Sequence, residues 1–299
     1  QNLDTNKDSG NISWMVMALN YYETQTGDTQ YFSAADKALN FLDGRIDHNS
    51  QHETYGSITH STDLPTARST EHCHDAYSAF FIRSQQKTDK DPEHLRDIAT
   101  IVQDYLRKEM WAPSPLSNGA YHDVNVFWVG FNQSGPPSNL GWYTDPQSWG
   151  ILSLGRLGPA GEEFFKALDW LWFNPYGSTR NQVPYQGSSL DGFATSTGDL
   201  ALRGNYIWVE GTEGVAAAFY AIGDQQRGDY FHSLMRKVEQ PSGGLLFSVS
   251  NKNPEDIRWP DNYRLEAVNA TAWHYFNEAR INPFKPEKKN AVENWELYH

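Results

Sequence analysis

The sequence predicts an all-α fold, an α/α toroid. This is a barrel of helical hairpins, (α/α)6-like but incomplete in this chain, with long loops and a small β-hairpin. Three observations predict it. Apolar residues recur at helical spacing in segments that come in pairs. The connection within a pair is very short, whereas the loops between pairs are long. The first helix of each pair also differs in character from the second.

The first pair covers about 11–27 (Trp14, Met15, Met17, Ala18, Leu19, Tyr22) and 29–46 (Tyr31, Phe32, Ala35, Ala38, Leu39, Leu42, Ile46). Thr-Gly-Asp at 26–28 separates them, a C-capping glycine followed by an N-capping aspartate. The second pair, about 70–86 and 92–111, has Pro92 in the first turn of its second member. The third, about 145–157 and 160–173, is joined by Gly-Pro-Ala-Gly, and the fourth, about 209–223 and 225–239, by Gly-Asp. A ninth helix at about 264–280 stops before Asn282-Pro283. The run at 243–250, bounded by glycines and Asn251, predicts a short strand in a small hairpin. Nine helices fall short of six hairpins, which leaves room for helices before Gln1.

Within each pair the second helix has the polar and apolar faces of a surface helix, as in Asp91-Pro92-Glu93-His94-Leu95-Arg96-Asp97-Ile98. First helices instead gather small and polar residues at their N-terminal ends. Examples are Asp8-Ser9-Gly10-Asn11, Ser69-Thr70-Glu71, Asp145-Pro146-Gln147-Ser148 and Glu210-Gly211-Thr212-Glu213. An inner ring of first helices inside an outer ring of second helices explains the asymmetry. Inner helices would be apolar nearly all round, and their polar ends would meet at one mouth of the barrel. The chain is read as one such domain, 1–299.

Composition narrows the partners. A formal charge of −13 argues against nucleic acid and anionic membrane. No apolar run approaches the roughly 20 residues of a membrane span. A single cysteine, Cys73, excludes an intrachain disulfide and a cysteine-based zinc site. The compartment stays open, with a secreted or periplasmic place favoured. Aromatics make up 14% of the residues, more than a core of this size needs, and rings in clefts stack well on sugar faces.

Asp8-Ser9-Gly10-Asn11 with Trp14, Ser69-Thr70-Glu71-His72 with Asp75-Ala76-Tyr77, Ser148-Trp149-Gly150, Trp208-Val209-Glu210-Gly211-Thr212 and Thr271-Ala272-Trp273 carry a resemblance. The chain resembles the (α/α)-toroid carbohydrate-active enzymes, the glycoside hydrolases and polysaccharide lyases with six-hairpin barrels. It is most similar to an uncharacterised bacterial subset in which the helix carrying Glu71 reads S-T-E-H-x-x-D-A-Y. The resemblance implies an enzyme that acts on an oligo- or polysaccharide without a cofactor.

Glycoside hydrolysis takes two carboxyl groups, one to protonate the leaving oxygen and one to act at the anomeric centre. Glu71, Asp75, Asp145, Asp199, Glu210 and Glu213 are the candidates at the expected mouth. Glu210 follows Trp208-Val209 and enters an apolar helix, surroundings that raise a carboxyl pKa as a general acid requires. Glu71 and Asp75 lie four residues apart on one helical face. The expected catalytic set is therefore Glu71 and Glu210 with Asp75 in support. Asn11, Trp14, His72, Tyr77, Trp142, Tyr143, Trp149, Trp208 and Glu213 are the expected substrate-binding residues, and Trp128 is a further candidate for stacking.

No metal is expected. His60, Glu71, His72, His74, Asp75 and His122 are rich in ligand types but show no strong ligand spacing. Two alternatives stay open. One is a lyase with His74, Tyr77 or His122 as base and Arg68 opposite a uronate carboxylate. The other is a glycan-binding protein without catalysis. A terpene cyclase is disfavoured, since no D-D-x-x-D cluster is present.

Overall fold

The computed structural model describes residues 7–86, 91–111, 125–132, 135–138, 143–158, 161–173, 178–250 and 265–285. These fall into two compact units, one from Gln1–Asn139 and Pro283–His299 and one from Leu140–Asn282. All nine predicted helices form.

In the first unit, α1 (Ser9–Thr26) begins where the Asp8 carboxylate accepts the Asn11 N–H at 2.9 Å. It ends at Gly27, whose φ of 71° suits glycine and whose N–H reaches the Glu23 carbonyl. The second helix, α2 (Phe32–Asp43), begins later than 29 because Asp28 caps the Gln30 N–H and a turn closes from Thr29 to Phe32. Strand β1 (Arg68–Ser69) leads into α3 (Thr70–Ser84), with Ser69 at the N-cap. Helix α4 (Pro92–Tyr105) is capped by Asp91 and widens into a π-helical turn over Leu106–Met110. Strands β2 (Gly130–Asn132) and β3 (Gly135–Ser138) complete an antiparallel sheet in the order β1-β2-β3.

Helix α3 packs on α1 and α4 and is buried on nearly every side, whereas α4 buries one stripe (Leu95, Ile98, Ala99, Val102, Tyr105). That is the predicted difference between first and second helices for this pair, whereas α1, also a first helix, buries one side only and exposes Asn11 and Met15. The fully buried Arg83 of α3 binds Asp36 of α2 at 2.9 Å and Glu23 of α1 at 2.8 Å, with its guanidinium 4.5 Å from the Phe32 ring. One cation thus ties three helices together.

In the second unit, α5 (Thr144–Leu154) and α8 (Val209–Ala221) are the helices buried all round, and they pack on each other. Helix α6 (Lys166–Phe173) follows α5, α9 (Gln225–Met235) follows α8, and α10 (Val268–Glu278) packs on α8.

The stretch 174–208, read from sequence as a loop, holds more structure. Strands β4 (Arg180–Tyr185) and β5 (Ser188–Phe193) form an antiparallel hairpin. Its turn residues Gln186 and Gly187 both have positive φ (48° and 78°), the backbone that a two-residue hairpin turn needs. A short helix, α7 (Thr197–Arg203), and strand β6 (Tyr206–Trp208) follow. Of the expected strand at 243–250, Leu245 folds back in an antiparallel bridge to Glu239, and Ser248–Ser250 forms β7, which pairs with β6. Ile207 and Val249 sit opposite each other in that pair, both buried in the core with Val183, Leu190 and Met235.

Replacing Arg83 with methionine leaves Asp36 and Glu23 facing each other without their cation. Urea denaturation is expected to show a loss of about 3–5 kcal/mol, the usual consequence of breaking a buried ion pair from one side. An unchanged midpoint would refute the role given to Arg83.

Candidate active site

The start of α8 brings the sharpest chemistry together. Trp208 closes β6 and Val209 opens α8, so Glu210 projects from the first turn of a helix that is otherwise buried. Gly211 allows this packing, because a Cβ there would lie 2.1 Å from the Trp208 ring. The half-buried Glu210 carboxyl accepts a hydrogen bond from the Asn269 side-chain amide and also interacts with the Trp273 indole. The buried Trp208 N–H faces the same carboxyl without closing a full hydrogen bond. Burial and the negative charge of Asp145, in the first turn of α5, push the Glu210 pKa up to about 8, against the lowering effect of these donors. Trp149 of α5 stacks on Trp273 of α10 at 5.9 Å and 18°. Trp149, Trp208 and Trp273 are all nearly inaccessible.

Glu213 lies one turn deeper, fully buried, and its carboxylate is taken up by the protein itself. His274 Nδ1 donates to one oxygen at 2.6 Å and His232 Nδ1 to the other at 2.9 Å, and the Asn277 amide adds a further bond. A carboxylate only accepts, so Nδ1 carries the proton in both rings. On their far sides the two imidazoles approach Glu278, which also pairs with Arg236 at 2.5 Å. Sequence reasoning did not single out His232, His274 or Asn277. The available signal was a polar residue where α9 or α10 should turn an apolar face inward. Asp199 carries the N–H that Ser196 caps at the start of α7, and its carboxylate accepts the Thr195 and Ser196 hydroxyls.

The other predicted residues divide as follows. Tyr143 lies half-buried just before α5, and Trp142 lies outside the described residues, as does His122. In the first unit, Glu71 is half-buried in the opening turn of α3. Asp75 is fully buried, with one oxygen turned toward Gly10 of α1. Asn11 is exposed, and Trp14 meets Phe284 edge-on at 5.3 Å. Tyr77 accepts a hydrogen bond from Gln103 at 3.1 Å, and burial pushes its pKa up to about 12. His72 and His74 are both buried, and burial alone pushes His74 down to about 3. Trp128, expected to be a loop aromatic open to sugars, is fully buried instead, its backbone N–H bonded to the Met110 carbonyl. Glu71 and Glu210 belong to different units, whereas Asp145 and Glu210 share one.

No protein-family model matches the chain, and no curated protein matches it by sequence. Solved structures do match in fold. A glycosidase in complex with glucose is 11% identical over 94% of this chain and 68% of its own, with a TM-score of 0.61. The cellobiose 2-epimerase of Bacillus thermoamylovorans is 11% identical over 98% of this chain and 76% of its own, with a TM-score of 0.59. A family 76 α-mannanase of Bacteroides thetaiotaomicron is 11% identical over 93% and 72%, with a TM-score of 0.57. A sugar epimerase from a ruminal bacterium also matches, and this chain spans only 65% of its length. The fold class is therefore the predicted α/α toroid.

The environment of Glu210 has a thermodynamic consequence. An unfolded chain releases this proton near 4.5, and the folded protein holds it to about 8. Between those values the folded state binds more protons, so this group's contribution to stability declines as pH rises through the window. Glu210→Gln removes the titration. Its melting temperature is expected to gain on that of the wild type across the window and to keep a constant lead above it. A difference that does not vary with pH would contradict the elevated pKa.

Proposed function

We propose that the protein is a glycoside hydrolase that cleaves an oligo- or polysaccharide by carboxylic acid/base catalysis at the start of α8. One observation carries the reading: a carboxyl held protonated at neutral pH beside a charged carboxylate, among indoles. Glu210 supplies the proton to the leaving glycosidic oxygen, which needs a carboxyl still protonated at the working pH. Asp145 is the second carboxylate of the same unit. It acts at the anomeric centre, either directly or through water, and its charge stabilises the oxocarbenium-like transition state. Asn269 fixes the Glu210 carboxyl through its amide.

The fold likeness to glycosidases and sugar epimerases supports a sugar substrate. A lyase reading draws less support from two of the bases offered for it, because His74 and Tyr77 are buried and both are shifted away from neutral pH.

The test is turnover on a panel that includes α-mannan and β-linked glucose oligosaccharides. New reducing ends are followed, together with ultraviolet absorbance for unsaturated uronides and product spectra for epimers. Glu210→Gln is expected to lower kcat by about 10²–10⁴-fold with little change in KM, the range that a general acid contributes. Asp145→Asn is expected to lose turnover as well. A Glu71→Gln arm tests the sequence-based expectation for that residue. Wild-type turnover in Glu210→Gln would remove Glu210 as the acid, and glycan binding without any turnover would favour the non-catalytic reading.

A further inference from the structure

We propose that Asp8, His60 and His72, in the first unit, form a binding site for a divalent transition-metal ion of the zinc class. The three residues come from the N-cap of α1, the segment before β1 and the first turn of α3. Asp8 Oδ1 lies 3.7 Å from His72 Nε2, and Asp8 Oδ2 lies 3.8 Å from His60 Nδ1. Both separations are too long for hydrogen bonds. One ligand atom from each of the three residues lies within 4.8 Å of the others, and ligand atoms about 2 Å from a tetrahedral zinc lie roughly 3.3 Å apart, so shifts of about 1.5 Å or less would close the set.

The direction of the lone pairs carries the argument. His72 Nδ1 approaches the His60 backbone carbonyl at 3.1 Å, and a carbonyl only accepts, so Nδ1 bears the hydrogen. The other ring nitrogen, Nε2, is turned toward the Asp8 carboxylate and offers its lone pair there. His60 Nδ1 is buried, with no hydrogen-bond partner among the described residues. A cation among the His72 Nε2 lone pair, the unpartnered His60 Nδ1 and the Asp8 carboxylate would give all three a partner. A ring nitrogen that donates to a backbone carbonyl while the other points at the ion is the usual arrangement of a metal-binding histidine.

The frame is built to hold this arrangement. The His60 carbonyl also accepts the Ser9 N–H at 3.0 Å, the His60 N–H reaches Ala67 at 2.8 Å, and Asp8 pairs with Ser61 in an antiparallel bridge. Gly10 lets His72 approach α1, since a Cβ there would come within 2.8 Å of Nε2. His60 and Asp8 remain partly exposed, so water can complete the coordination.

The second carboxylate–histidine group, Glu213 with His232 and His274, makes the contrast. Its ring nitrogens already donate to the carboxylate at 2.6–2.9 Å, which leaves no lone pair facing inward.

Zinc(II) added to chelator-stripped protein, in competition with a chromophoric chelator, tests the site. One equivalent is expected to bind. Asp8→Asn keeps a good N-cap, and His60→Ala alters a partly exposed ring, so both variants should melt as the wild type does. Each is expected to weaken zinc binding by at least about tenfold, while His274→Ala leaves it unchanged. Failure of the wild type to take up one equivalent would overturn the proposal. So would wild-type affinity in His60→Ala, or loss of binding in His274→Ala alone.

Discussion

A helix buried on every side can place charged groups only where its ends emerge or where other side chains come in to meet them. Helix α8 obeys that constraint at two depths. At its first turn Glu210 reaches the edge of the core among indoles. One turn in, Glu213 is reached by two imidazoles and an amide from α9 and α10. The same rule explains Arg83, a fully buried cation on α3 that persists because carboxylates of α1 and α2 converge on it.

The two carboxylates of α8 show how environment separates those roles. Glu213 is matched oxygen by oxygen with donors, so it knits three helices together. Glu210 has donors too, but it shares its surroundings with Asp145. Two carboxylates close together in an apolar setting do not both ionise readily, and the proton stays on Glu210. One residue type, three positions apart, thus meets two different electrostatic settings.

Much of the fold was legible because helical period, capping residues and short connections agree with one another. Asp8, Asp91 and Gly27 all stand where capping chemistry places them. The hairpin at β4–β5 escaped notice because Pro184 and the Gln186-Gly187 turn break the usual strand signals, and α7 is too short to establish a period. At the site, Glu210 was legible from its aromatic approach to an apolar helix. The closeness of Asp145 was not, because α5 and α8 meet only in the folded chain. His60 beside Asp8, and His232 and His274 around Glu213, were hidden for the same reason: local spacing says nothing about partners dozens of residues away. Trp128 shows the converse error, since a loop setting in sequence did not mean an exposed ring.

The central claim is that Glu210 is a neutral acid at physiological pH, and its protonation state can be observed directly. Infrared difference spectra of the wild type against Glu210→Gln, taken from weakly acidic to alkaline solution, isolate this one carboxyl. The account predicts a protonated-carboxyl carbonyl band that persists through neutrality and gives way to carboxylate bands with a midpoint at about 8. Carboxylate bands alone at neutral pH would contradict it.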